Sequence, residues 1–199
     1  DKLGKKLFIT GKGRCNITND TDVEGLIQNV PVNGNFLYSA FYTFSNDQLI
    51  SLLNDLGLET KVERGGRIFP TSDKSSDVIK ALEKHMRENN VQVRFGKVVD
   101  ILTEDNQVTG VRLDNQQLKA DSIIIATGGK SYPQTGSTGD GYSFAEKLGH
   151  TITRLNPSLV PLETEEKWVK EAQGLSLRNI EIRVYDNNDK QIFEEFGEM

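Results

Sequence analysis

The chain has 199 residues, with 24 Lys and Arg against 29 Asp and Glu, a formal charge of −5 at neutral pH. That balance excludes a strongly basic nucleic-acid or anionic-membrane binder as the starting reading, and 36% hydrophobic residues suffice for one sizeable core or two small ones. Cys15 is the single cysteine, which excludes an internal disulfide framework, and a zinc site built on His85 and His150 would need distant carboxylates. No apolar run approaches the length of a membrane span and no signal peptide opens the chain, so a cytoplasmic protein with no metal, nucleic acid or membrane partner is expected.

Asp1 stands close to the first apolar run, Leu7-Phe8-Ile9, which reads as a short strand, and the alternating stretch Ile192 to Met199 stops without a tail. Both edges read as cut. Thr21-Asp22-Val23-Glu24 reads as a capping box opening a short helix that Pro31 ends. Phe36 to Phe44 keeps helical spacing. Ser45-Asn46-Asp47-Gln48 is a second capping box before Leu49 to Leu56, with Gly57 closing the helix. Ser75 to Asn89 is the clearest helix, Val78, Ile79, Leu82 and Met86 sharing one face, and His85 at its edge reads as structural or solvated. Val91, Val93 and Phe95 alternate as a strand. Val98 to Leu102, Val108 to Leu113 and Leu118 follow as a small meander joined by polar turns at 104–106 and 114–115. Ile123-Ile124-Ile125-Ala126 is continuously apolar, as in a strand covered on both faces, and Gly128-Gly129 breaks it. Gly139 to Leu148 predicts a helix capped by Gly149. Ile180, Ile182 and Val184 pair across the 186–189 turn with Gln191 to Phe196 as a hairpin. The expected fold class is therefore α/β, a parallel sheet interrupted by an antiparallel meander over 1–156, with a β-rich domain beginning at 157–199.

Four glycine-marked segments are candidates for chemistry. In Thr10-Gly11-Lys12-Gly13-Arg14-Cys15-Asn16 the glycines let backbone amides approach an anion and Lys12 and Arg14 add charge; the alternative is a basic surface turn. Arg14 is the stronger candidate for a bidentate contact. Asn16 stands where a third glycine would complete a dinucleotide fingerprint, so a main phosphate loop would lie elsewhere. Ala126-Thr127-Gly128-Gly129 ends the apolar run, where open α/β sheets bind ligands, or is a simple glycine turn. Gly136-Ser137-Thr138-Gly139-Asp140-Gly141 leads into a helix whose amides suit a phosphate, a ribityl hydroxyl or a flavin carbonyl; plain capping by Ser137, Thr138 or Asp140 is the alternative. Gly65-Gly66-Arg67-Ile68-Phe69-Pro70 is either a wall for a planar ligand or a tight hairpin. Cys15 reads as a packing or loop residue, with a reactive thiolate beside Lys12 and Arg14 as the alternative.

Taken in order, Lys2 to Leu7, Thr10 to Asn16, Gly66 to Ser72, Ala126 to Pro133, Thr135 to Tyr142 and Pro157 to Leu162 resemble a bacterial flavoprotein family, the NAD(P)/FAD-dependent oxidoreductases of the aminoacetone oxidase or BaiN type. The resemblance covers the whole chain. It implies a glutathione-reductase-like FAD-binding fold with an inserted β-rich domain, about twice this length, of which this is the central fragment. It places Thr10, Gly11, Lys12, Gly13, Arg14, Cys15 and Asn16 along the pyrophosphate and flavin side of FAD. Val98 would meet the adenine, Ala126, Thr127, Gly128 and Gly129 would pass the pyrophosphate, and Ser137, Thr138, Gly139, Asp140 and Gly141 would lie near the flavin. Arg14 would stabilise negative charge on reduced flavin. NAD(P)H as reductant, a small organic acceptor or oxygen, and retention of FAD only with the rest of the fold are the corresponding expectations. A non-catalytic structural or interaction domain that keeps the fold without cofactor is the alternative.

Overall fold

The computed structural model describes residues 2–157 and 163–198, in two units that divide between Ile152 and Thr153, slightly before the expected boundary at Asn156-Pro157. The Pro157 to Leu162 segment falls almost entirely outside the described residues.

In the first unit, the run expected as a strand is the end of a helix, α1 (Lys5–Ile9). Three apolar residues are too few for spacing to separate the two conformations. Gly4, at φ 67, turns the chain so that Phe8 N reaches its carbonyl at 2.8 Å. After β1 (Thr18–Asn19), the cap of α2 (Val23–Gln28) is Asp22 rather than Thr21, its Oδ1 accepting from Gly25 N at 2.7 Å. A short turn leads to α3 (Tyr38–Thr43), and the Ser45 capping box of α4 (Asn46–Asp55) forms in both directions. Gly57, at φ 87, then ends α4 with paired reverse bonds, Gly57 N to Asn54 O and Leu58 N to Leu53 O.

The Gly65-Gly66 segment is a tight hairpin joining β2 (Thr60–Glu63) to β3 (Arg67–Pro70), with Glu63 opposite Arg67. β3 is the middle strand of an antiparallel sheet in the order β1-β3-β2. Behind it α5 (Ser75–Glu88) carries Val78 and Ala81 into a core with Cys15, Leu53 and Leu58, and Ile68 and Phe69 are buried alongside. The meander follows as β4 (Val98–Glu104), β5 (Gln107–Leu113) and β6 (Gln117–Lys119). Its first turn places Asp105 and Asn106 both at positive φ, the geometry whose twist matches two-residue hairpins.

The expected parallel ladder is absent among the described residues, where every strand pairing is antiparallel. Ile123 to Ala126 bonds to no neighbouring strand and Ile124 is 91% exposed; Val91 to Phe95 is likewise unpaired and exposed. An apolar run becomes a buried strand only when flanking strands take up its amides and carbonyls. No described residues supply them here. Beyond the glycine turn, α6 (Asp140–Lys147) ends at Gly149, φ 89, as its spacing predicts.

The second unit, taken by itself, is built on the expected hairpin, β7 (Arg178–Tyr185) against β8 (Gln191–Glu198). Asp186 closes its turn, Oδ1 accepting from Asn188 N at 2.8 Å and Lys190 N at 3.0 Å. Among the described residues no helix is long and apolar enough to cross a membrane.

Candidate functional site

Two of the three loops expected to line one cleft do come together. The 125–130 segment packs on the start of α6: a Cβ built on Gly139 would lie 2.8 Å from Lys130 Cγ, and one on Gly128 would lie 3.0 Å from Ser137 Oγ. Glycine at 128 is also required by its φ of 74. The N-cap of α6 is Gly139, at φ 87, with no side-chain cap. The alternative reading, plain capping by Ser137, Thr138 or Asp140, is therefore not met, although Asp140 sits in the first turn of the helix.

Beside this pair lies a groove of about 710 Å³ with Ala126, Thr127, Gly128, Gly129 and Ser137 on one side. Lys2, Lys5, Lys6 and Arg94 give it a basic lining, which also includes Gly96. Its size is that of a small-molecule site. Val98 opens β4 two residues beyond Gly96, half-buried and paired with Leu113, and does not line the groove.

Thr10 to Asn16 stands apart from that lining and packs on β3 instead. Thr10 Oγ1 donates to Leu7 O at 2.8 Å, Cys15 N to Thr10 O at 3.0 Å and Ile17 N to Ile68 O at 2.8 Å. Gly11, Lys12, Gly13 and Cys15 all have positive φ, leaving Lys12 and Gly13 exposed at the tip. Cys15 is 1% exposed within the core, and burial pushes its thiol up, against the Thr10 hydroxyl's opposing pull. It is a packing residue, which overturns the reactive-thiolate alternative: lowering a thiol needs exposed positive surroundings, and the guanidinium beside it points elsewhere.

Arg14 Nη1 donates to Glu63 Oε1 at 2.8 Å and Asp73 Oδ1 at 3.2 Å, with its guanidinium 4.0 Å above the Phe69 ring. Lys61 completes the cluster, 2.6 Å from Asp73 Oδ2 and 3.5 Å from Glu63 Oε1. Two cations balance two carboxylates, so Arg14 brings little net charge to a passing anion. The Arg14 hydrogen bond holds Glu63 below its ordinary value, and the Lys61 hydrogen bond does the same for Asp73, both against partial desolvation. Carboxylates lowered on folding stabilise the fold above their unfolded values, and that contribution is lost as pH falls through the folded ones. The melting temperature should therefore hold from neutrality to about pH 5 and fall below about pH 4. The double variant Glu63→Gln, Asp73→Asn should flatten the acid limb without abolishing it, because Asp77 and Asp100 are lowered too. An unchanged acid limb in that variant would disprove the assignment.

The composition did not single out Lys6, which joins α1 to the glycine turns. Its Nζ donates to Ser131 O at 2.6 Å, Ser131 Oγ at 3.1 Å and Ser137 Oγ at 3.2 Å. Arg94 and Gly96 were also missed, lying in a segment read only for strand alternation. A faint signal existed in a basic pair, Lys5-Lys6, one helical turn before Thr10.

The sequence was compared with known proteins. It is 34% identical over 176 residues to a 3-dehydro-bile acid delta(4,6)-reductase of Clostridium scindens, covering 88% of this chain and 42% of that protein. It is 28% identical over 175 residues to a ribosomal RNA dihydrouridine synthase of Escherichia coli, covering 88% and 43%. A shorter match, 39% identical over 66 residues, joins 33% of the chain to 14% of an L-aspartate oxidase of Pyrococcus abyssi. The chain spans less than half the length of these curated relatives. Residues 1–197 match the HI0933-like protein Rossmann domain, and it is to this family of oxidoreductase-related Rossmann domains that the chain belongs.

Proposed function

We propose that the chain is the central part of an FAD-dependent oxidoreductase of the aminoacetone oxidase or BaiN type, with a glutathione-reductase-like fold completed by polypeptide beyond it. The groove carries this reading: Gly128, at φ 74, lies close against Ser137, where an added Cβ would sit 3.0 Å from Oγ, in a lining that includes basic Lys2, Lys6 and Arg94. Close backbone approach and positive charge are what a pyrophosphate requires. The residues fit one wall of a dinucleotide site, with Ala126 to Gly129 and Ser137 to Gly141 as backbone contributors. Thr10 to Asn16 would meet the cofactor only through its exposed tip, at Lys12 and Gly13. Arg14 serves by holding that loop to the β2–β3 hairpin rather than by touching flavin.

FAD, when bound, supplies two-electron redox chemistry, which NAD(P)H feeds and an organic acceptor or oxygen drains. The chain's own residues bind and orient. The names of two relatives that match most of the chain, a delta(4,6)-reductase and a dihydrouridine synthase, support an unsaturated ring as the acceptor. A small molecule fits the acidic composition. The ribosomal RNA named in two relatives favours a second reading, an RNA substrate held by surfaces outside this stretch.

The intact protein should purify yellow, or turn yellow with added FAD, and Gly128→Val should lower its flavin content at least about tenfold, since a β-branched residue at positive φ is a strained outlier. A colourless protein that takes up no FAD would overturn the reading. RNA that competes for turnover in a salt-sensitive way would select the second substrate class.

A further inference from the structure

Lys6 belongs to a cationic groove, yet its ammonium is committed to protein. An ammonium has three N–H donors, and Lys6 Nζ faces three acceptors, Ser131 O, Ser131 Oγ and Ser137 Oγ, between 2.6 and 3.2 Å away. The Tyr132 ring lies 5.5 Å off, adding a weak cation–π contact. Ser137 is 7% exposed, and its Oγ is the atom that a side chain at Gly128 would strike.

Two sequence-distant pieces thus meet at one charge. On one side is α1, which continues directly into Thr10 to Asn16; on the other is the 131–137 turn, which abuts Gly128 and leads into α6. We propose that Lys6 is a positioning residue: it ties α1 to the glycine turns and fixes Ser137 against Gly128, so that the groove wall is set before a ligand arrives. Hydrogen bonds to a charged donor are worth more than neutral ones, and preorganised loops save the ordering entropy that binding would otherwise cost. Lys6 is thereby not an anion ligand. Its charge, met by neutral acceptors only, still adds to the field of the groove, while direct contacts to a ligand are left to groups such as Lys2 and Arg94.

The inference rests on the FAD reading for its effect on binding but not for its hydrogen-exchange test. In the intact protein without cofactor, Lys6→Met should speed hydrogen exchange of amides in 126–138 by about tenfold while α5 exchange is unchanged, as local opening without global unfolding does. FAD should bind about tenfold more weakly, and Lys6→Arg, which reaches part of the acceptor set, should recover most of that loss. Ser137→Ala should weaken FAD in the wild type and add less than about twofold in the Lys6→Met background, because the two act through one contact. Should Lys6→Met not fold, Lys6→Arg and Ser137→Ala provide the same exchange readout.

Weaker FAD binding with unchanged exchange would make Lys6 a direct ligand and overturn the positioning role. Unchanged exchange with unchanged binding would remove the tether altogether. A wild-type protein that takes up no FAD would defeat the proposed function, while the exchange measurements would still decide whether Lys6 orders the turns.

Discussion

Replacing Phe69 by Ala should lower unfolding stability by about 3–5 kcal/mol, the range for deleting a large aromatic from a packed interior. Phe69 is 2% exposed, in the middle strand of the β1-β3-β2 sheet, opposite Lys61. Its ring carries more than its own volume. The Arg14 guanidinium lies 4.0 Å above it, Arg67 stands 5.9 Å away, and its Cε1 edge approaches Gly11, where a Cβ would sit 3.0 Å away. Removing it leaves a cavity beneath the 10–16 loop and takes away the surface on which Arg14 reaches Glu63 and Asp73. The loss should appear as a lower urea midpoint at constant slope, with Phe36→Ala, 86% exposed, as the control that stays within about 0.5 kcal/mol. Arg14→Met should cost less in the Phe69→Ala background than in the wild type, because the cation then has no ring to lie on. Equal costs in both backgrounds would show that the ion cluster stands without the ring.

Legibility in the sequence followed the range of the interactions involved. The Ser45 box, the Gly57 and Gly149 helix ends, the Asp105-Asn106 turn and the 186–189 hairpin are each decided within a few residues, and each formed where its residues stood. Ile123 to Ala126 failed for the opposite reason. Its continuous apolar character describes an environment rather than a local conformation, and among the described residues that environment is missing. Leu7 to Ile9 shows the same weakness in miniature. At the candidate site, glycines were legible because positive φ and close approach are backbone demands. Gly128 lies against Ser137 and Gly139 against Lys130, contacts that no local pattern specifies. Side-chain charge was not legible. Arg14 and Lys6 both look like free cations in sequence, and their acceptors, Glu63 and Asp73 for one and Ser131 and Ser137 for the other, lie tens to more than a hundred positions away. Tertiary pairing alone reveals whether a lysine or arginine still has N–H donors to offer, and whether, as for Arg14, its charge is balanced.

The two glycines of the 10–16 loop separate backbone strain from collision. Gly11 and Gly13 both have positive φ, 56 and 88, so an alanine at either should cost about 1–2 kcal/mol on conformational grounds alone. Only Gly11 is hemmed in. Its Cβ would lie 2.8 Å from the Asn16 amide nitrogen and 3.0 Å from Phe69 Cε1, whereas nothing stands within 4 Å of one on Gly13. The Asn16 amide belongs to backbone that the Ile17–Ile68 hydrogen bond fixes to β3, so it cannot swing aside as a side-chain tip would. Gly11→Ala should therefore add a further overpacking cost of about 1–3 kcal/mol to the strain, and Gly13→Ala none. Chemical denaturation of the two variants measures the difference directly, and equal losses would mean that the loop relaxes freely away from β3. The same pair bears on the cofactor. Open space over Gly13 is where a ligand could approach the tip, so Gly13→Ala, which carries the conformational strain but no collision, should weaken FAD more than its stability loss explains. Gly11→Ala should weaken it only in step with the disordering of the loop.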